Sequence, residues 1–393
     1  SRAGEIIIGK NTPWLATGIL IFQGLFKSSS MSKPRLLTGD TPTGKLHLGH
    51  WVGSLENRVK LQEDYDCYFL LANLHAFTTR VGQPEEIRQS TLDIALDYVA
   101  AGIDPQKSTI FIESDVPAIY ELASIFSMLI PFPRLMRNPT IKDEIRDKQL
   151  GDNYSMGFLL YPLLQVADIL ACQAAMVPVG EDQIPHLELT REVARRFYQL
   201  YCQVDSEAAH EYTQKTGQSE DDYYYEQGQI FPVPQFLLGR VRRLVGTGGP
   251  APHGELYKMS KSLNNAIFLS DDADTVKQKV MGMYTDPNRL RATDPGCVEN
   301  NPLWIFHETF NADKQWVEES KEKYRAGHIG DVECKKRLVD VLNAVLTPMR
   351  ERRAEYAKDP AMVLEVLRQG AEKTNCLAQE TLAKVREKIR QRF

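Results

Sequence analysis

"RLLTGDTPTGKLHLGHWVG", residues 35–53, changes character twice and so decides the fold. RLLTG (35–39) has the β-rich character of a short buried strand. A glycine-bearing loop follows, and a helix opens near His47. Gly39 and Gly44 allow the backbone to approach a ligand closely. A helix start offers unpaired N–H groups and positive potential, which together make an anion site. His47 and His50, three apart, fall on one side of that first turn. Neither the P-loop nor the G-x-G-x-x-G pattern is present. An isolated H-x-x-H with no second His/Cys cluster reads as two loop histidines, so no protein metal site is assigned.

Working outward, the chain to about residue 200 alternates short β-rich runs with longer amphipathic ones. CYFLLAN (67–73), STIFIES (108–114) and AAMVPVG (174–180) are the further strand candidates. LGHWVGSLENRVKLQ (48–62) and PEEIRQSTLDIALDYVAAG (84–102) are helical, the second stopped by glycine. Strand–helix–strand spacing of this kind predicts a parallel sheet with crossover helices. Ligands bind such sheets beyond the C-terminal ends of the strands. The expected class is therefore α/β, a Rossmann-like parallel-sheet domain followed by an α-helical C-terminal region.

Residues 205–228, DSEAAHEYTQKTGQSEDDYYYEQG, are acidic and Tyr-rich without periodicity, and read as a surface insertion, a hairpin or mobile loop. GTGGPAPHGELY (246–257) reads as a flexible loop leading into KMSKS (258–262). From Ser270 onward the pattern is helical, beginning with a capped, acidic first turn in SDDADTVKQKVMGMY. The basic excess from Arg350 to Phe393 suits either a solvated helix face or a surface for an RNA backbone.

With 393 residues the chain can hold two or three domains and a sizeable core. Its 42% apolar and 25% charged content is that of a soluble globular protein, and the net charge of −5 excludes general nucleic-acid binding by the molecule as a whole. Six scattered cysteines without C-x-x-C argue against a zinc site and for reduced thiols in a reducing compartment. No apolar run reaches the length of a membrane span. Residues 1–30 read as a leader, an upstream translation or a tag ahead of the natural start at Met31, with an organellar targeting segment as an alternative.

One more segment carries chemistry. In YPLLQVADILAC (161–172), Pro162 suits a first helical turn. Tyr161, Gln165, Asp168 and Cys172 then share one helix face. Polar residues on an otherwise apolar helix either satisfy core hydrogen bonds or meet a ligand.

PTGKLHLGH and KMSKS, in that order, resemble the two signatures of the class I aminoacyl-tRNA synthetases. TGDTPTGKLHLGHWVGSLENRV, VPVGEDQIPHLELTREVARRF and MYTDPNRLRATDPG are similar to the tryptophanyl-tRNA synthetases of bacterial type, and the resemblance runs from Met31 to the C-terminus apart from 205–228. It implies ATP-dependent activation of L-tryptophan and its transfer to tRNA(Trp). Mg²⁺ would be carried by ATP, and His47, His50, Lys258 and Lys261 would be catalytic. It also implies ATP contacts at Thr41, Pro42, Thr43, Gly49, His50, Gly180, Glu181, Asp182, Val241 and Lys258, Met259, Ser260, Lys261 and Ser262. The tryptophan pocket would use Asp168, which takes the indole N–H, with Gly39, His75, Tyr161, Gln165, Val177, Val179 and Gln183. The family further implies a cytoplasmic homodimer with tRNA across both subunits, and no membrane or DNA contact.

Within this reading, 31–269 is the catalytic domain with 246–262 as the mobile KMSKS loop. Residues 270–345 form the helical anticodon-side domain, and 346–393 are helices returning to the catalytic domain. Gln165 stands where many bacterial members have Met, and Y-x-x-x-Q-x-x-D also resembles the pocket helix of tyrosyl-tRNA synthetases. Tyrosine is thus the alternative substrate. A non-catalytic paralogue is the alternative class, which should have lost catalytic positions that are all in place here.

Overall fold

The computed structural model describes residues 33–147, 149–151, 153–179, 184–238 and 243–393. Five parallel strands form the central sheet: β1 (Arg35–Asp40), β2 (Asp66–Leu71), β3 (Thr109–Ile112), β4 (Met176–Val179) and β5 (Gln235–Leu238), in the order β3-β2-β1-β4-β5. The order reverses between β1 and β4, so the switch point, where such sheets bind ligands, lies at the end of β1. Leu36 is in register with Cys67 and with Met176, and Gly39 with Leu70. A side chain at Gly39 would bring its Cβ to 2.2 Å from the Leu70 carbonyl oxygen, so this position requires glycine.

Strand alternation sends apolar residues to both faces. Leu37, Tyr68, Leu70 and Phe111 face one core with α4 (Ala118–Ser127), α5 (Met156–Ala171) and α6 (Ile184–Tyr201). Leu36, Cys67, Phe69 and Ile110 face the other, shared with α3 (Pro84–Ala101) and with α10 (Pro302–Phe310) and α12 (Asp331–Lys358), through Trp304, Leu338 and Leu342. The boundary expected at 345/346 falls inside α12, one uninterrupted helix. The last helix, α13 (Pro360–Lys388), packs on the sheet edge, where Gly370 lies so close to β3 that a Cβ would meet the Ile110 carbonyl oxygen at 1.8 Å. Further along α13, the Thr381 hydroxyl donates to the Ala171 carbonyl at 3.0 Å.

Three expectations are corrected. Residues 205–228 are neither hairpin nor loop but two helices, α7 (Ser206–Thr216) and α8 (Glu220–Gly228). Asp205 and Ser219 cap them, and Asp221 ties α8 to α6 through Arg191 and Arg195, each at 2.7 Å. Pro162 is not in a first turn; α5 starts earlier, where the Ser155 side chain accepts from the Phe158 N–H, and Pro162 sits in the helix interior. The Gly/Pro run is an antiparallel ribbon of β6 (Val245–Pro250) and β7 (Leu256–Lys258). Two of its glycines serve packing: side chains there would strike Asn265 at Gly246 and the Tyr284 ring at Gly249.

Candidate active site

The loop after β1 enters α1, whose segments are Leu48–His50, a π-helical Trp51–Leu55 and Glu56–Leu61. His47 is the N-cap in extended backbone. Its N–H donates to His50 Nδ1 at 3.1 Å, and the two rings stack with centroids 3.8 Å apart. His47 is 6% exposed, and its buried Nδ1 has no hydrogen-bond partner among the described residues. Burial, with the nearby charges of His50 and Lys258, lowers the His47 pKa to about 3. Burial also lowers that of His50, against the opposing pull of Asp40. Both are neutral imidazoles at neutral pH, able to donate from one nitrogen and accept at the other.

KMSKS lies directly against this turn. Leu48 N–H donates to the Ile267 carbonyl at 2.9 Å, and Leu269 N–H to the Leu46 carbonyl at 3.0 Å. Gly49 N–H points at Met259 Sδ, 3.4 Å away, and Met259 is buried. Lys261 reaches across to Gly44, whose φ is +139° and where a Cβ would lie 3.0 Å from Lys261 Nζ. Ser260 N–H donates to Asn265 Oδ1 at 2.8 Å, and the Ser260 and Ser262 hydroxyls are 2.8 Å apart. Lys258, Lys261 and Ser262 are exposed, as are Thr41 and Thr43, while Pro42 is buried. The result is a wall of cations and hydroxyls around a glycine-lined turn, which suits a polyphosphate. The site is braced from below by Asp40, which accepts from Arg58 at 2.6 Å and from Tyr98 at 2.5 Å. Burial pushes the Asp40 carboxyl up, but the Arg58 guanidinium more than offsets it and holds the group below its ordinary range.

A second cluster lies beyond the ends of β2 and β3. His75, on α2 (Asn73–Arg80), donates from Nδ1 to Glu113 Oε1 at 2.9 Å and lies 4.0 Å from Asp168 Oδ2. Glu113 Oε2 also accepts from the Leu74 N–H at 3.0 Å. Asp168 is 1% exposed, and neither carboxylate oxygen has a hydrogen-bond partner among the described residues. Burial, and then the Glu113 charge, push its pKa far above the ordinary value. One potential ligand atom from each of His75, Glu113 and Asp168 lies within 4.8 Å of the other two, close enough to share a metal ion. Glu113 is already engaged by His75 and the α2 backbone, however, and the open acceptor is Asp168 alone. That arrangement favours a single neutral donor over a cation.

Tyr161 stands edge-on to His75, with ring centroids 6.1 Å apart, and its hydroxyl donates to Glu144 Oε1 at 2.9 Å. Gln165 is half-buried one turn before Asp168, and Val177 and Val179 join the neighbouring core from β4. Gly180, Glu181, Asp182, Gln183 and Val241 lie outside the described residues. Sequence reading missed Glu113 and Asp40. Each is a carboxylate at the end of an apolar strand, the edge at which ligands gather, and that position was the available signal.

Residues 29–347 match the family described as tRNA synthetases class I (W and Y). The chain is similar to the tryptophan–tRNA ligase of Chlamydia caviae, 45% identical over 358 residues, covering 90% of this chain and 94% of that one. It is 44% identical over 355 residues to that of Treponema pallidum, covering 90% and 96%. Among solved structures it resembles a Campylobacter jejuni tryptophanyl-tRNA synthetase complexed with ADP and tryptophan. That match has a TM-score of 0.74 and 31% identity, covering 90% of this chain and 99% of that chain.

Proposed function

The chain belongs to the class I tRNA synthetases of tryptophan and tyrosine, and from that premise we propose that it activates L-tryptophan with ATP and transfers it to tRNA(Trp). The observation that carries the choice of a side chain with a hydrogen-bond donor is buried Asp168, whose two oxygens have no partner among the described residues. Indole offers one N–H and no acceptor. A pocket that buries an unpaired acceptor rejects a side chain lacking a donor, such as that of phenylalanine. A phenol would also satisfy it, and the choice of tryptophan over tyrosine is supported by the tryptophan–tRNA ligases to which the chain is 44–45% identical.

In the activation step a tryptophan carboxylate oxygen attacks the α-phosphate of ATP. The bond to the bridging oxygen breaks, and pyrophosphate leaves with the electron pair. No protein nucleophile is needed; the protein positions the reactants and balances moving charge. Lys258 and Lys261 follow the departing pyrophosphate, Mg²⁺ travels with ATP, and the ribbon closes on the bound nucleotide. Neutral His47 and His50 supply hydrogen bonds to the phosphates without repelling the two lysines. The terminal ribose hydroxyl of tRNA then attacks the aminoacyl carbonyl, and AMP leaves. By family correspondence Gly180, Glu181, Asp182 and Val241 join Thr41, Pro42, Thr43, Gly49 and Met259, Ser260 and Ser262 on ATP. Gly39, His75, Tyr161, Gln165, Val177, Val179 and Gln183 complete the amino-acid pocket.

The enzyme works as a cytoplasmic homodimer with tRNA across both subunits. The six free cysteines agree with a reducing compartment, and exposed Met128 and Phe132 offer apolar surface to a second copy. Charging of a tRNA(Trp) transcript with tryptophan and tyrosine side by side tests the reading. Charging with tryptophan alone is expected. Preferential charging with tyrosine, or tryptophan binding without charging, would overturn it.

A further inference from the structure

Helix α3 carries a feature that the activation chemistry leaves unused. Its Asp97 is 1% exposed and faces two parts of the molecule at once. Oδ2 accepts from the Leu46 N–H at 3.1 Å, one residue before His47, and Oδ1 is paired with Arg353 Nη1 on α12. The neighbouring residue, Tyr98, holds Asp40 at the other end of the same loop. Two consecutive residues of one helix thus fix both ends of segment 40–46. Arg353 also faces Asp93 at 3.5 Å, and Arg352 Nε donates to the Ala100 carbonyl at 2.7 Å, so α12 is bound to α3 along this seam. Burial, helped by the like charge of Asp93, raises the Asp97 pKa to about 6 against the pull of Arg353, the Leu46 N–H and Lys45.

We infer that Asp97 is a positioning residue for ATP, holding the Leu46–His47 backbone in place, and that Arg353 holds Asp97, so that the C-terminal helical region helps set the geometry of the phosphate site. This rests on the reading of segment 38–53 as the ATP site. A carboxylate that only stapled α12 to α3 could be satisfied by Arg353 alone. This one divides its oxygens between the arginine and the backbone that presents His47, and the Leu46 carbonyl is taken on its other side by Leu269. Releasing the Leu46 N–H frees one end of a turn whose other end stays anchored. His47 and His50 then reorient against the phosphates, while the tryptophan pocket, built on α2, α5 and Glu113, is untouched.

The test is tryptophan-dependent ATP–pyrophosphate exchange, with nucleotide binding followed separately by calorimetry, for Asp97→Leu, Asp97→Asn, Arg353→Met and the Leu/Met double variant. Loss of one charge-assisted hydrogen bond at a distance predicts that Asp97→Leu raises KM for ATP about tenfold, with KM for tryptophan within about twofold. Asp97→Asn, which keeps a carbonyl acceptor for Leu46, is expected to retain most of the ATP affinity. Arg353→Met should raise KM for ATP about threefold, and the double variant should be no worse than Asp97→Leu, because the two act in series. ATP affinity unchanged in both single variants, with only a lower Tm, would overturn the inference; so would equal losses for ATP and tryptophan. Should Asp97→Leu fail to fold, Arg353→Met decides by the same criterion. A wild type without exchange would instead remove the functional reading, and the calorimetric ATP comparison would still judge Asp97.

Discussion

Asp168, in the role proposed for it, would serve function at the expense of stability. Its folded pKa is raised, so the contribution it makes is present below the ordinary carboxylate range and is lost as pH rises through the folded value. Asp168→Asn should therefore gain unfolding free energy on wild type above about pH 4, by about 1.4 kcal/mol per pH unit until the folded group ionises, while Asp168→Ala, which removes both acceptor oxygens, should lose tenfold or more in tryptophan affinity. Urea unfolding of the Asn variant at several pH values and tryptophan titration of the Ala variant check the two halves; an Ala variant that binds as well as wild type would mean that Asp168 does not meet the indole. His47 runs the other way. Its folded pKa of about 3 lies below the ordinary 6.5, so its contribution is full above pH 6.5 and fades as pH falls toward 3. Against His47→Asn, wild type should lose about 1.4 kcal/mol per pH unit between about pH 6 and 4. A flat difference would mean that the imidazole is solvated. His47, His50, Lys258 and Lys261 could be picked out as candidates because each stands inside a short motif. Glu113 and Asp97 were not, because their roles depend on partners brought together by the sheet and by α12.

Elements were legible where periodicity and caps agreed. The four strands read from apolar runs are all present, and α3 ends at Gly102 with φ +115°. Errors came where local chemistry has two readings. Glycines at 246 and 249 signal freedom in sequence, yet in the fold they make room for Asn265 and Tyr284. Pro162 signals a helix start, but the Ser155 cap upstream wins. The acidic stretch 205–228 lacks apolar periodicity because α7 and α8 are held by caps and by the Asp221–arginine pairs. Gly370 offers a test at this scale. In an exposed helix interior, Gly→Ala stabilises by about 1 kcal/mol. Here the new methyl would collide with β3, so Gly370→Ala should destabilise by about 1–3 kcal/mol, read by chemical denaturation. A stabilised variant would mean that α13 does not press on the sheet edge.

At the scale of the molecule, one sheet divides two cores and gathers both clusters at its C-terminal edge. The parallel class and the place of the site follow from strand spacing. That the helical region shares the second core and reaches segment 40–46 through Arg353 and Asp97 does not, since no local pattern links residue 353 to residue 97. The contact between the 38–53 segment and KMSKS is the arrangement on which the proposed activation step depends. The most direct measurement is tryptophan-dependent pyrophosphate exchange by Lys261→Ala beside direct tryptophan binding. Because the charge that Lys261 meets develops only as pyrophosphate departs, exchange should fall about a hundredfold with tryptophan affinity within about twofold. Undiminished exchange, or lost tryptophan binding with exchange intact, would contradict the account.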